Sequence, residues 1–260
     1  MTTRTHAEAQ KLFDRIADRY TERSRAAIYD LSSLSFARRN EIVTQLLLTT
    51  PRGGTVLDYG MGPAVFGPAA IKHGLRYVGI DISPKMIELA RALKLPGAEY
   101  HLGDLDLLSR FEGKADAVLL IGLIDYLDDP EAGLRLLARC VRPGGRLIMS
   151  FRNHRSLPNA LRNAARRVWQ AARPAPEAGT AFVAPVLENS FVPRRDLQPI
   201  LASEGFRTMT VKYLDASPIF FSVPVPRPVW HALGAVDAAL SRPALSTLCA
   251  SGVLMAADRC

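Results

Sequence analysis

Cysteine is scarce in this chain of 260 residues: Cys140, Cys249 and Cys260 are the only three. An odd count without metal-type spacing argues against a disulfide framework and offers no zinc site. A reducing cytoplasm fits that usage. No uninterrupted apolar run in the sequence approaches the ~20 residues of a membrane span. Met1 to Gln10 is polar and lacks the apolar core of a signal peptide. Internal repeats and low-complexity tracts are absent. Acidic residues are in deficit, 25 against 33 basic, leaving a net charge of +8 carried mostly by arginine. Such a surplus suits an anionic partner, or simply an arginine-rich surface. No stacking aromatics are interleaved with the arginines, so nucleic acid is not an expected partner.

What is present is a globule's share of apolar residues and length for one large α/β domain or two small ones. The organising stretch runs Val56-Leu57-Asp58-Tyr59-Gly60-Met61-Gly62-Pro63-Ala64. A short apolar run ends in a carboxylate, two glycines follow, and Val65 to Lys72 is compatible with a helix. This reads as strand, tight turn, helix. Gly60 and Gly62 let the chain turn sharply and let a ligand approach the backbone. The helix start offers N–H groups without intrahelical partners.

Upstream, residues 11–48 read as helical. Phe13, Ile16, Ala17 and Tyr20 share one face, and Arg38 to Leu48 forms a second amphipathic segment. Residues 25–34 between them read as a connecting loop or short helix. Downstream, strands and helices alternate. Tyr77 to Ile80 is a strand ending at Asp81, and Ser83-Pro84 caps the next helix. Glu99 to Leu102 is a short strand leading to Gly103-Asp104. Ala115 to Ile121 is nearly all apolar, as a strand covered on both faces should be. A helix spans Pro130 to Val141, Arg142-Pro-Gly-Gly145 turns, and Arg146 to Phe151 is a fifth strand. Phe206 to Leu214 and Ser251 to Ala257 supply the last two. Such alternation predicts a doubly wound, mostly parallel seven-stranded sheet.

Four signals fall at the carboxyl ends of successive strands, where open parallel sheets bind ligands. They are Asp58 with Gly60 and Gly62, Asp81 with Ile82, Asp104 with Leu105, and Ile121-Gly-Leu123-Ile-Asp125-Tyr126. Asp81 suits a ribose diol, since a carboxylate can accept two hydrogen bonds. Asp104 suits an exocyclic amine such as that of adenine.

Here the sequence resembles the class I S-adenosylmethionine-dependent methyltransferases. Asp58-Tyr-Gly60-Met-Gly62 matches that family's first motif, with Ala64 at its third, commonly glycine, position. Asp81, Gly103-Asp104 and the Arg-Pro-Gly-Gly-Arg-Leu turn match the later ones. Phe13-Asp-Arg-Ile-Ala-Asp-Arg-Tyr20 looks like the opening helix of small-molecule members such as those of quinone biosynthesis. The resemblance implies a Rossmann-like fold with S-adenosyl-L-methionine as cofactor. Gly60 and Gly62 would lie against its methionyl part, and Asp58 would orient its amino group. Asp81 would hold the ribose, Asp104 would meet the adenine amine with Leu105 on the ring, and Ile121 to Leu123 would pass the sulfonium. Asp125, Tyr126 and His154 are the candidates for the proton-accepting group. Quinone-pathway relatives carry a Glu-His pair where Asp125 and Tyr126 stand.

The expected organisation is a helical cap over 1–50 and a methyltransferase domain over 51–260, with insertions at 153–185 and 217–248. The first insertion places Leu157, Leu161, Ala164, Ala165 and Val168 at helical spacing among arginines. That pattern suits an anionic lipid surface, a charged acceptor with a greasy tail, or an ordinary solvated helix. The expected acceptor is a small molecule, with an oxygen on a lipid-like, polyketide, quinone or sugar intermediate first. Localisation is expected to be cytoplasmic, with peripheral membrane contact open. Two other readings stand beside it. One is a cofactor-binding interaction protein without turnover. The other is a dinucleotide-dependent oxidoreductase, whose Gly-x-Gly-x-x-Gly pattern would need glycine where Val65 stands.

Overall fold

A computed structural model describes residues 4–24, 31–157, 159–161, 164, 191–214, 225–240 and 243–260. The strands are β1 (Thr55–Tyr59), β2 (Arg76–Asp81), β3 (Glu99–Leu102), β4 (Ala115–Ile121), β5 (Val141–Arg152), β6 (Phe206–Leu214) and β7 (Gly252–Arg259). They form one sheet in the order β3-β2-β1-β4-β5-β7-β6. β7 runs antiparallel to both its neighbours, and the pairings among β1 to β5 are parallel. The doubly wound expectation holds.

The helices are α1 (Arg4–Ser24), α2 (Leu31–Leu47), α3 (Gly67–His73), α4 (Pro84–Arg91), α5 (Pro130–Cys140), α6 (Gln198–Ser203), α7 (Arg227–Leu240) and α8 (Pro243–Cys249). They cover the sheet on both faces, which is why β4 has no polar face to show. Val118 and Leu120 pack with Leu134 and Leu137 of α5 on one side. Ala117 and Leu119 pack with Val43, Leu47 and Ala70 of α2 and α3 on the other. Each such fully buried leucine contributes about 1.5–3 kcal/mol.

Local chemistry sets several boundaries. Ser83 caps α4, its hydroxyl accepting from Met86 N at 3.1 Å. Asp129 caps α5 in the same way through Ala132 N. The Arg-Pro-Gly-Gly turn sits inside β5 as a register break. Ala115 faces Val141 and Ala117 faces Arg146, so the residues between loop out.

Three expectations need adjusting. α2 starts at Leu31, seven residues before Arg38, because Trp230 of α7 covers its first turns and donates to Ser33 Oγ at 3.2 Å. In α7 the expected apolar positions Val229 and Val236 are exposed, and Trp230 is the residue that packs inward. Leu157 and Leu161 likewise point outward while Asn159 between them is buried, donating to Ser251 O at 2.9 Å. The rest of the arginine-rich insertion, 165–185, and the first part of the second, 217–224, lie outside the described residues.

Candidate active site

The parallel strands deliver their carboxyl ends to one edge. Register aligns Tyr59 with Ile80, Asp81 with Leu102, and Ile121 with Ser150. The glycine turn is pinned to β2, with Gly60 N and Met61 N both donating to Ile80 O at 2.8 and 3.1 Å. Gly60 has φ +70°, and a Cβ there would stand 2.5 Å from Leu123 Cδ2. A side chain at Gly60 is therefore barred by backbone conformation and by space. Ala64, at the third position of the motif, takes the same left-handed region with φ 53°.

Asp81 locks the turn from the next strand. Its Oδ2 accepts from Gly62 N at 2.8 Å and its Oδ1 from Ser83 N at 2.9 Å. Burial pushes its pKa up to about 6, and these N–H groups pull the other way.

β1 alternates, so Asp58 and Tyr59 leave it on opposite faces. Asp58 is fully buried behind the turn, where Tyr77 Oη donates to it at 2.5 Å. Burial raises its pKa to about 7. It is not on the cavity wall. Tyr59 crosses beneath the end of β2 and donates to Asp104 Oδ1 at 2.6 Å.

A cavity of about 330 Å³ opens over this edge. Gly60, Gly62, Asp81, Ile82, Ile121 and Leu123 line one end. Asp125, Tyr126, Arg152, Leu214 and Val253 line the other. Over it lies an aromatic chain from α1 and α2. Phe13 meets Tyr126 edge-on at 5.3 Å between ring centroids, and Tyr20 meets Phe36 at 5.3 Å. α1 is also tied down by Ser83 Oγ, which donates to Asp14 Oδ1 at 2.5 Å. Tyr20 Cε1 lies 3.5 Å from where a Cβ on Gly62 would stand.

Among the three proton-acceptor candidates, Asp125 and Tyr126 reach the cavity. Asp125 is buried on a short helical turn after β4, and Oδ2 accepts from Arg152 N at 3.2 Å. Desolvation pushes its pKa up to about 7. Burial pushes the Tyr126 phenol up to about 12. His154 does not reach the cavity. β5 ends at Arg152, Asn153 is held by Thr247 O and Ala250 O at 2.8 Å each, and the chain turns outward to an exposed His154. Asp104 and Leu105 also stand off the wall, behind Tyr59 and Gly103, which line it.

Arg39 and Arg152 also line the cavity, and no sequence motif announces either; Tyr59 lines it from the variable position inside the first motif. Arg39 sits on α2 with its guanidinium 4.8 Å from the Phe36 ring centroid. Its Nη2 donates to Asn40 Oδ1 at 3.3 Å, and Asn40 Nδ2 donates to Ser24 O. Its Nη1 lies 3.1 Å from where a Cβ on Gly122 would stand. The i, i+3 spacing of Phe36 and Arg39 was the one available signal. Among the described residues no three His, Cys, Asp or Glu side chains gather as a metal site.

Comparison with known proteins agrees with this geometry. Over 107 residues the chain is 30% identical to a ubiquinone biosynthesis O-methyltransferase of Xanthomonas axonopodis pv. citri. That match covers 40% of this chain and 45% of the relative, so the chain spans under half the length of the curated relatives it matches. A Thermotoga maritima protein, described as a SAM-dependent methyltransferase and possible histamine N-methyltransferase, superposes with a TM-score of 0.60. It is 18% identical, with 96% of this chain and 99% of that one covered. Magnesium protoporphyrin IX methyltransferase from Synechocystis, with bound SAH, gives 0.59 at 17% identity over 88% and 85%. At those identities the likeness is one of fold. The methyltransferase-domain family itself matches residues 32–211, from α2 into β6. That span contains β1 to β5 with the glycine turn, Asp81 and Asp125, and the chain therefore belongs to the methyltransferase-domain family, of the class I S-adenosylmethionine-dependent kind.

Proposed function

We propose that this protein transfers a methyl group from S-adenosylmethionine to an oxygen of a small, largely apolar acceptor. The observation that carries this is Asp125. A buried carboxylate shares one cavity with the glycine turn, and its pKa is pushed up to about 7, the range suited to accepting a proton at neutral pH. Bound at the turn, S-adenosylmethionine would supply an electrophilic methyl group, which is the difficult part of the chemistry.

The donor set fits that cofactor. Gly60 and Gly62 leave room for its methionyl backbone. Asp81 would accept from the ribose hydroxyls, and Arg39 would face the carboxylate. Ile121 to Leu123 line the passage to the acceptor end. There Asp125 takes the hydroxyl proton, and Arg152 lies on the same wall. Phe13, Phe36 and Tyr126 close the site to water, which favours transfer over hydrolysis. The apolar share of the wall, with Leu214 and Val253, favours a lipid-like, polyketide or quinone intermediate over a sugar.

Methyl-labelled cofactor tests the reading against a panel of phenols, hydroxyquinones and sugar alcohols. The expected result is label in an oxygen ether, with one S-adenosylhomocysteine formed per methyl transferred. Label on nitrogen would overturn the oxygen acceptor. Tight cofactor binding without turnover on any acceptor would favour an interaction protein.

A further inference from the structure

Ser150 is the one polar residue in the apolar stretch Leu147-Ile-Met-Ser-Phe151 of β5. It is only 4% exposed, yet it lines the cavity. Register sets Ile121 of β4 on one side of it and Leu254 of β7 on the other, so its cross-strand neighbours are aliphatic. Its backbone carbonyl is engaged, accepting from Gly122 N at 3.1 Å. Among the described residues no hydrogen bond is recorded at its hydroxyl. A buried hydroxyl without a partner is costly, and an aliphatic residue there would carry no such cost. The cavity is the direction left to this hydroxyl, so a ligand in the cavity is what completes its hydrogen bonding. Alternation along β5 turns Ser150 and Arg152 to the same face, roughly 7 Å apart. Asp125 Oδ2 accepts from Arg152 N at 3.2 Å, which sets that carboxylate at the strand end just beyond Ser150. Asp125 and Ser150 therefore address one cavity from neighbouring points on its wall.

We propose that Ser150 is a specificity-determining residue that holds a second oxygen of the acceptor, on the carbon next to the hydroxyl that is methylated. The inference rests on the oxygen-acceptor reading given above. Asp125 takes the proton of one oxygen, and the Ser150 hydroxyl bonds to the other. Apolar contacts with Leu214 and Val253 are not directional, so they hold an apolar acceptor without fixing its rotation. One polar anchor leaves that rotation free. Two anchors leave a single oxygen in line with the methyl group, which is the alignment that transfer requires. A serine hydroxyl both donates and accepts, so the second oxygen is a hydroxyl or a carbonyl. The acceptor class is an apolar compound with oxygens on adjoining carbons.

The test is methyl transfer by wild type and Ser150→Ala at saturating S-adenosylmethionine, on two matched pairs of acceptors. One pair is β-naphthol and its ortho-diol, in which the second oxygen is a hydroxyl. The other is β-tetralol and its α-ketol, in which it is a carbonyl. Thermal unfolding checks that the variant keeps its fold. For wild type the expected kcat/KM is at least about tenfold higher for the diol, the ketol or both than for the one-oxygen partner. In Ser150→Ala that ratio is expected to fall to within about twofold of one, through a higher KM for the two-oxygen acceptor. Preference for the diol alone supports the inference and makes the second oxygen a hydroxyl; preference for the ketol alone supports it and makes that oxygen a carbonyl. A wild-type ratio near one, or a ratio that Ser150→Ala does not move, would overturn it. A higher KM for S-adenosylmethionine with equal losses on all four acceptors would overturn it too, and assign the hydroxyl to the cofactor. No ether from any of the four would overturn the oxygen-acceptor reading, and this inference with it.

Discussion

Tyr77 donates its phenolic proton to Asp58 across 2.5 Å, in the layer sealed behind the glycine turn. The bond joins β1 to β2 and is the only hydrogen bond recorded at the Asp58 side chain among the described residues. Burial raises the Asp58 pKa from 3.8 to about 7, with Tyr77 opposing that rise. The folded state thus holds its proton more tightly than the unfolded chain. Stability from this group is full below pH 3.8 and is lost as pH rises toward 7. Removing the phenol with Tyr77→Phe takes a neutral bond from the protein at pH 5 and an ionic one at pH 8. The expected cost is about 1–3 kcal/mol at pH 8 and less at pH 5, read from urea midpoints. Equal costs at the two pH values would contradict the account.

Gly60→Ala meets two obstacles, a left-handed backbone and Leu123 Cδ2 2.5 Å from the new methyl. The conformational term alone is roughly 1–2 kcal/mol. Gly97 is the control, with φ +72° and nothing within 4 Å of a Cβ. Both alanine variants should lose thermal stability. Only Gly60→Ala should also lose cofactor affinity, by at least about tenfold, because only there does the cavity wall have to move. Equal loss of affinity in both would show that the turn is not the seat.

Asp125 must be ionised to accept a proton, so activity should be low below its pKa and level off above it. At saturating cofactor the acid limb of kcat is expected near pH 7. Saturation matters because Asp81, raised to about 6, titrates close by and would appear in the cofactor KM. Asp125→Asn should lower kcat by about 10²–10⁴-fold and remove that limb. A variant that keeps the limb would assign the proton to another group.

The frame was legible because it rests on local signals. Apolar runs ending in Asp58 and Asp81, the short strand leading to Gly103-Asp104, and the Ser83-Pro84 cap announce strands and helix starts without any knowledge of partners. Contacts made across the chain were not legible. Ser33 falls in the segment read as a connecting loop or short helix, and it lies inside α2, where Trp230, 197 residues away, donates to its hydroxyl. The alternation of β1 puts Tyr59 opposite Asp58, but its reach to Asp104 needs the β1-β2-β3 register. His154 looked like a ligand-edge residue because it follows β5. The side chain of Asn153 decides otherwise by anchoring the strand end and sending the chain outward.

α1 is held over the cavity by Phe13 against Tyr126, Tyr20 against Phe36, Asp14 with Ser83, and Asn40 Nδ2 donating to Ser24 O. An aromatic pair of this kind contributes roughly 0.5–1.5 kcal/mol. Phe13→Ala should therefore raise the cofactor KM about 2–10-fold, with little change in the unfolding midpoint. A matching loss of global stability would instead make Phe13 a core residue.

The central claim is that the glycine edge takes an adenosyl sulfonium cofactor. Parallel calorimetric titration of the purified protein with S-adenosylmethionine, S-adenosylhomocysteine and NAD tests it directly. The account predicts one-to-one micromolar binding of the first two and no heat from NAD. Binding of NAD with neither sulfur ligand would contradict it and make the turn a dinucleotide site.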